Sequence, residues 1–351
     1  MGGVGKTQLA AEYAHRFSSE YDLVWWIASE QAGLIGEHFA ALAIALGCAK
    51  PGAGLEQLQK TVLSTLRERD RSLLIFDNAE SAEILAKWLP GGSGHVLITA
   101  RTHRWAEVAV PVEVDVMTRA ESVAILQDQV PGLPVESADQ VAEALGDLPL
   151  AVAQAAGYMA ETGMPAGEYS SLLITRAAEI MDEGRPLSYP RSLAAATRLA
   201  IDRLRSEEPA AAELAGLCAF LAPELVPTDW FIVDGAQLPE PLAAQASDPM
   251  SWRRVLARIS RNAVARVDQN GLQMHRLTQA ILRGYLSPDQ ASATRKSAEI
   301  VLAANRPGNP ESADSWTGWA RLLPHLMALD PANTDNMGLR DRACEARAIR
   351  R

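Results

Sequence analysis

Three continuous apolar runs lie in the first hundred positions, and they alternate with stretches whose apolar residues recur every three or four positions. The runs occupy residues 23–28, 72–77 and 95–100. Continuous runs of this length are typical of strands buried on both faces, and the longer spacing is typical of amphipathic helices. The alternation predicts an α/β domain in which helices cover a parallel sheet. A fourth strand is predicted at residues 112–116, where valines alternate with acidic residues as on a sheet edge.

Beyond residue 117 the pattern is helical for well over a hundred positions. Thr118 and Glu121 have the spacing of a capping box for a helix that reaches about residue 130. Gly146 stands where a second helix ends, and Pro149 begins a third that ends near Gly163. A fourth helix is predicted at about 166–181. These four helices predict a compact bundle, and the whole chain is predicted to be mainly α.

A β-hairpin is predicted late in the chain. Asn270-Gly271 separates two short apolar runs, which is a strong signal for a tight hairpin turn. Helices followed by one small hairpin suggest a winged-helix unit. The Pro- and Gly-containing residues 184–191 are a plausible linker before it. From residue 288 the chain is predicted to be helical again.

The N-terminal residues Gly2-Gly3-Val4-Gly5-Lys6-Thr7-Gln8 have the composition of a phosphate-binding loop at the start of a helix. Glycines let successive backbone N–H groups point at phosphate oxygens, Lys6 can reach the β- and γ-phosphates, and the Thr7 hydroxyl can ligate Mg²⁺. The alternative is a flexible glycine-rich terminus that precedes a helix by chance. The Gly-Lys-Thr sequence at the junction of loop and helix favours the phosphate loop.

The loop departs from the full phosphate-loop pattern. With Gly5 as the second glycine, the first would fall before Met1, and the strand that usually enters such a loop is missing. A lost N-terminus is the favoured explanation. We then expect the neighbouring strands to be left unpaired, with poor nucleotide binding and marginal stability that upstream residues would restore.

Charged residues follow two of the predicted strands. Asp77 ends the second strand and is a candidate Mg²⁺ ligand facing Thr7. Arg101 ends the third strand, in the crevice where open α/β sheets bind ligands, and could contact a γ-phosphate. The alternatives are an aspartate that caps the next turn through Asn78 and an arginine that is only a solvated loop charge.

Composition narrows the class of protein. The 351 residues are 48% hydrophobic and 5% aromatic, with a formal net charge of −10. The negative charge argues against general binding to nucleic acid or to anionic membranes. No apolar run approaches the ~18 residues of a membrane span. The three cysteines lack metal-ligand spacing, which indicates reduced thiols and a cytoplasmic location.

Five motifs in order resemble the NB-ARC family of STAND nucleotide-dependent switches, particularly bacterial members with C-terminal tetratricopeptide repeats. The motifs are Gly2-Gly3-Val4-Gly5-Lys6-Thr7, Leu73-Leu74-Ile75-Phe76-Asp77-Asn78, Leu97-Ile98-Thr99-Ala100-Arg101, Gly146-Asp147-Leu148-Pro149-Leu150-Ala151 and Met274-His275-Arg276. The resemblance covers about residues 1–285. It implies a nucleotide-binding domain at 1–117, a helical bundle at 118–185, a winged-helix domain at 186–287 and a helical spacer at 288–351, truncated before the repeats.

The resemblance also implies roles for single residues. Lys6 and Thr7 would hold phosphate and Mg²⁺, Asp77 would be the Mg²⁺ carboxylate and Arg101 the γ-phosphate sensor. Pro149 would pack on adenine, and His275 would contact the β-phosphate of ADP and hold a closed state.

Two positions depart from the family pattern. Asn78 replaces a second acid and cannot accept a proton, so base catalysis would need Glu80 or would be absent. Arg276 replaces the last residue of the Met-His-Asp motif, which weakens the case for His275 as the lock. Without the resemblance, His275 is equally well a structural histidine at a helix start.

The leading hypothesis is therefore a regulatory switch that binds ADP or ATP with Mg²⁺ and is at most a slow ATPase. ADP would hold a closed state, and exchange for ATP would permit assembly into a homo-oligomer or signalling to a protein partner. The second hypothesis is a DNA-binding regulator, based on the basic helix at 252–261 just before the hairpin. The third is an inactive fragment.

Overall fold

The computed structural model describes residues 3–30, 32–49, 54–101, 105–183, 192–233 and 237–348. By its internal contacts the chain divides into two units. The first, called the sheet unit, comprises Val4–Asp115, and the second, called the helical unit, comprises Met1–Gly3 and Val116–Arg351. The domain boundaries predicted from the sequence stay predictions.

The described part of the sheet unit is a parallel sheet flanked by helices. The strands are β1 (Leu23–Ala28), β2 (Ser72–Ala79) and β3 (His95–Ala100), and the helices are α1 (Lys6–Arg16), α2 (Ala32–Ala45), α3 (Leu55–Arg67) and α4 (Ala82–Ala86). The strands pair in the order β1–β2–β3. The three apolar runs therefore form the strands predicted from them.

Helices cover both faces of this sheet. Successive side chains of β2 point to opposite faces: Leu73 and Ile75 pack in one cluster with Ala10 of α1, whereas Leu74 and Phe76 pack in a second cluster with residues of α2 and α3. Burial on both sides explains why the strand sequence is continuously apolar rather than alternating.

The predicted fourth strand is wrong. Residues 111–118 are in neither helix nor strand. Val110 and Val112 are 88% and 81% exposed, so the alternation of apolar and acidic residues does not mark a buried face. A short alternating segment becomes a strand only where it finds a partner edge and a core to cover, and β propensity alone does not supply either.

The expectation of unpaired strands is also wrong. Strand β2 pairs with β1 along one side and with β3 along the other, with Trp25 opposite Leu74 and Leu74 opposite Val96. Buried backbone N–H and C=O groups without hydrogen-bond partners cost free energy, which favours direct pairing between the strands that are present. The β2–β3 register shifts only between Phe76 and Ala79, around Asn78, whose φ of 56° is left-handed.

The helical unit begins with five helices in residues 119–180. They are α5 (Arg119–Gln129), α6 (Val135–Leu145), α7 (Pro149–Thr162), α8 (Ala166–Thr175) and α9 (Ala177–Ile180). The predicted capping box of Thr118 and Glu121 is confirmed. The predicted helix at 166–181 is wrong as a single element, because it breaks at Arg176, where φ is −138° and ψ is 42°. The predicted linker at 184–191 lies outside the described residues.

The described remainder of the helical unit consists of helices and one small hairpin. Its elements are α10 (Leu193–Glu207), α11 (Pro209–Cys218), α12 (Leu242–Ala246), α13 (Pro249–Arg261), β4 (Arg266–Val267), β5 (Leu272–Gln273), α14 (Arg276–Gly284), α15 (Pro288–Ala304), α16 (Trp316–Ala328) and α17 (Met337–Ala348). The predicted hairpin is confirmed, because β4 and β5 are antiparallel. The winged-helix assignment stays a prediction.

A continuous apolar core joins these later helices. It includes Leu214, Val255, Leu272, Leu302 and Trp319, which are all at most 1% exposed. Among the described residues, no helix combines the length and the apolar character needed to cross a membrane. Cys48 is partly buried, Cys218 is buried and Cys344 is exposed, and the structure places none of the three in a disulfide.

Candidate functional site

The predicted loop and the predicted acidic residue meet within the sheet unit. The Thr7 hydroxyl, at the start of α1, donates a hydrogen bond of 2.8 Å to Oδ1 of Asp77, at the carboxyl end of β2. The two residues are 70 positions apart in the sequence. Thr7 is exposed and Asp77 is partly buried, so this pair of oxygen groups is accessible to a ligand from solvent.

A third residue, Thr99 near the end of β3, fixes the aspartate. Its hydroxyl donates a hydrogen bond of 2.6 Å to the same Oδ1 of Asp77 and accepts one of 2.9 Å from the Asn78 N–H. Thr99 is 7% exposed. It therefore sets the orientation of the carboxylate, although the sequence had suggested no role for it.

Two glycines of the predicted loop before α1 have left-handed backbone conformations. Gly5 is the N-cap of α1 with φ of 86°, in the left-handed region, and no side chain caps the helix. Gly3 also has positive φ, 78°. Left-handed glycines curl the chain so that N–H groups can converge on an anion, and a helix N-terminus favours negative charge. Val4 is buried, and Gly2 lies outside the described residues.

The electrostatics around Lys6 favour an anion. Burial lowers the pKa of the Lys6 ammonium below its ordinary 10.5, and nearby Arg101 lowers it further, whereas Asp77 raises it. The groups that act on the Lys6 ammonium thus include a second cation, Arg101, and the carboxylate of Asp77. A bound phosphate would compensate the charge of Lys6 and offset the cost of its burial.

The residues also fit a magnesium ion. Mg²⁺ prefers hard oxygen ligands, commonly takes one or two from the protein, and completes its shell with waters and phosphate oxygens. The Thr7 hydroxyl and the Asp77 carboxylate are a pair of that kind, 2.8 Å apart. The hydrogen bonds from Thr7 and Thr99 both end on Oδ1 of Asp77, so neither of them occupies Oδ2.

The other predicted residues of the sheet unit lie nearby or on the surface. Arg101 is partly buried after β3, and Gln8 is exposed on α1. Glu80 is exposed and lines a cleft of about 250 Å³, together with Ser29 and Glu30, at the carboxyl edge of β1 and β2. This edge is where open parallel sheets commonly bind ligands.

Within the helical unit, Pro149 and His275 each stand at the start of a helix. Pro149 is the first residue of α7, and the next residue, Leu150, donates its N–H to the carbonyl of Gly3 at 3.1 Å. His275 is the N-cap of α14, where its Nδ1 accepts the Leu277 N–H at 3.2 Å. Since Nδ1 is an acceptor, Nε2 carries the proton and donates it to the Gly146 carbonyl at 3.0 Å.

The turn at Gly146 and Asp147, which contacts His275, and the helix end before it are fixed by hydrogen bonds from two arginines. Arg119 binds the Asp147 carboxylate through two nitrogens, at 2.9 Å and 3.1 Å, and Arg276 donates to the Glu143 carbonyl at 2.9 Å. A methyl group at Gly146 would come within 2.6 Å of His275 Nε2. The sequence suggested no role for Arg119 or for the Asp147 side chain; the signal was Gly-Asp at a helix end, which favours a left-handed turn.

The neutral state of His275 predicts a pH effect. Burial lowers the pKa of His275 below its ordinary 6.5, Arg276 lowers it further, and the Gly146 carbonyl and Asp147 oppose them. As pH falls, His275 is therefore protonated in the unfolded chain at a higher pH than in the folded chain. The stabilisation of the folded state by neutral His275 is present above about pH 6.5 and is lost as pH falls toward the folded-state pKa. We expect the free energy of unfolding to fall by about 1 kcal/mol more in the wild type than in His275→Gln between pH 7.5 and 5.5.

Urea unfolding at a series of pH values measures this difference. His325 remains in both proteins, so its own lowered pKa cancels in the comparison. Equal slopes for the two proteins would contradict the neutral, hydrogen-bonded state of His275.

The chain was compared with protein-family models and with known proteins. No protein-family model matches the chain. The chain is 24% identical over 326 residues to a "Nucleotide-binding leucine-rich repeat (NLR)-like protein" of Hyaloscypha variabilis. The match covers 82% of this chain but 32% of that protein, so the chain spans about a third of the relative's length. The similarity supports, at most, an NB-ARC/STAND-like relationship.

Proposed function

We propose that the chain is a regulatory switch that binds an adenine nucleotide and Mg²⁺ at its N-terminal loop. The observation that carries the proposal is the hydrogen bond between Thr7 and Asp77. It joins the hydroxyl and the carboxylate that a nucleotide-bound Mg²⁺ needs. The similarity to an NLR-like protein supports the same general function.

In this proposal each residue has a distinct task. Backbone N–H groups of the loop and the Lys6 ammonium bind the phosphates, and Thr7 and Asp77 hold Mg²⁺, with Thr99 orienting Asp77. Arg101 contacts a γ-phosphate when one is present. Bound Mg²⁺ would supply neutralisation of phosphate charge. Only a difference in binding between ADP and ATP can shift the balance between two conformations.

The helical unit would respond to the bound nucleotide. Pro149 is proposed to pack on adenine and His275 to respond to the β-phosphate, so that ADP favours a closed state and ATP favours assembly or signalling. Glu80 is the proposed base for any hydrolysis, which we expect to be slow because Asn78 has no basic group.

Asp77 is expected to control the magnesium dependence of binding. In Asp77→Asn we expect the increase in ATP affinity caused by Mg²⁺ to be reduced about tenfold, because one charged ligand is lost. Affinity without Mg²⁺ should be unchanged or tighter, since a negative charge near the phosphates is removed. Calorimetric titration with ATP, with and without Mg²⁺, measures both effects.

Asp22→Asn is the matched control. Asp22 is an exposed aspartate of the same unit, paired with Arg71 at 3.1 Å, and its loss should leave the Mg²⁺ effect intact. An equal Mg²⁺ effect in Asp77→Asn and in the wild type would argue against the assigned metal ligand.

A DNA-binding regulator is the second candidate. Helix α13 buries Trp252, Val255 and Ile259 and leaves Arg253 and Arg254 exposed, which is the arrangement of a helix that could meet a phosphate backbone. Salt-sensitive binding to duplex DNA that depends on these two arginines would favour this function.

A further inference from the structure

A groove of about 640 Å³ lies among the last helices of the helical unit. One wall is the face of α14 that carries Arg276, Gln279 and Arg283, which recur at helical spacing. The other walls come from residues 220–223 after α11, from Arg295 of α15 and from residues 324–329 of α16 and the turn that follows it. The volume is typical of ligand pockets and far exceeds that of a single ion.

The charged lining of this groove is basic, although one of its arginines, Arg295, also pairs with the largely buried Glu299 at 3.4 Å. It includes three arginines and, among the residues that line it, no aspartate or glutamate. The whole chain carries a net charge of −10, so this local concentration of guanidinium groups runs against the overall composition. A lining of this kind is complementary to carboxylates, which arginine can bind through two parallel hydrogen bonds.

Each of the three arginines is held in place by a backbone carbonyl. Arg276 donates to the Glu143 carbonyl, Arg283 to that of Ala219, and Arg295 to that of Leu329. A guanidinium has five N–H donors, so these anchoring bonds orient each group while leaving donors for a ligand. Preorganised side chains lose less entropy when they bind.

A buried glutamine also lines the groove. Gln279 is 3% exposed, and its amide nitrogen donates to the carbonyls of Cys218, Leu221 and Ala222. This ties α14 to the end of α11. The Arg283 side chain is exposed overall, although partial burial lowers the pKa of its guanidinium.

Apolar groups lie between the charges. Phe220, Pro223 and Pro324 are partly exposed in the groove, and Ala328 is exposed one helical turn after Pro324. A free inorganic anion would leave this apolar surface in water. A peptide that carries an apolar side chain between carboxylates would cover the apolar surface and pair with the arginines at once.

We propose that this groove binds an acidic peptide segment of a partner protein, in which carboxylates flank a leucine or a phenylalanine. The apolar side chain lies against Phe220 and Pro324, and the carboxylates pair with Arg276, Arg283 and Arg295. The residues that carry the proposal all belong to the helical unit, so it does not rest on the nucleotide site.

Fluorescence anisotropy with designed peptides tests the proposal. Three fluorescein-labelled pools of short peptides are compared, each with a central leucine or phenylalanine. The residues that flank the central one are Asp or Glu in the acidic pool, Asn or Gln in the amide pool and Lys in the basic pool. We expect the full chain to bind the acidic pool at least about tenfold more tightly than the amide pool, with an affinity that falls as salt rises. The double variant Arg283→Gln/Arg295→Gln should lose at least about tenfold in affinity for the acidic pool.

Two further variants test whether peptide binding depends on the groove itself rather than on the overall charge or on a folding defect. Arg253→Gln/Arg254→Gln removes the same charge from exposed positions on α13 and should bind the acidic pool like the wild type. Arg283→Lys/Arg295→Lys keeps the charge and should retain intermediate affinity. Equal binding of the acidic and amide pools, or equal losses in the α13 and groove variants, would overturn the proposal. If duplex DNA displaced the bound peptide and unlabelled acidic peptide did not, the proposal would also be overturned, in favour of a nucleic-acid site.

Discussion

Replacing Lys6 by methionine is expected to weaken the binding of ADP and of ATP by at least about 100-fold, because a charge-assisted contact with the phosphates is lost from a partly desolvated site. Lys6 is partly buried, and this burial and the charge of Arg101 both lower the pKa of its ammonium. Its charge is therefore maintained at a cost that a phosphate would offset. Calorimetric titration of both nucleotides gives the affinities.

Lys60→Met is the matched control for this variant. Lys60 lies on α3, exposed, and pairs with Glu56 at 2.7 Å one helical turn away. Its loss should change nucleotide affinity less than about twofold, because it removes only an exposed ion pair, and such pairs contribute little free energy. ADP binding of Lys6→Met at the wild-type affinity would show that the loop does not bind phosphate.

Replacing Gly146 by alanine is expected to reduce the free energy of unfolding by about 2–4 kcal/mol. Gly146 has φ of 62°, which costs about 1–2 kcal/mol for a residue with a side chain. The added methyl would also meet His275 Nε2 at 2.6 Å, so the hydrogen bond between His275 and the Gly146 carbonyl must break.

Gly163→Ala separates the two costs. Gly163 ends α7 with φ of 70°, and a methyl group there meets no atom within 4 Å. We expect this control to lose only the backbone cost of about 1–2 kcal/mol. Urea unfolding of both variants gives the comparison, and equal losses would show that the contact of His275 with Gly146 contributes nothing.

The strands were predictable because their signal is local. Residues 23–28 and 95–100 form β1 and β3 with the predicted bounds, since a continuous apolar run buried on both faces has few alternatives. Residues 112–116 failed because alternation specifies a strand only when a partner edge and a core are present. The break at Arg176 depends on packing that no local pattern encodes.

The candidate site was only partly predictable. Thr7 and Asp77 were found from motif and strand position, and the structure brings their oxygens to 2.8 Å. Thr99 was missed because its contact with Asp77 depends on the pairing of β2 with β3 and on the irregular backbone at Asn78. The contact of Arg119 with Asp147 was missed because it joins residues 28 positions apart, a proximity that only the packing of α5 against the turn creates.

Hydrogen–deuterium exchange with saturating ADP or ATP, each with Mg²⁺, tests the nucleotide switch most directly. We predict that both nucleotides slow exchange in residues 4–10, and that ADP slows exchange in residues 146–150 and 275–278 more than ATP does. Unchanged exchange in residues 4–10 with either nucleotide would contradict the nucleotide site. Protection of residues 4–10 with identical exchange of the other two segments under ADP and ATP would contradict the switch.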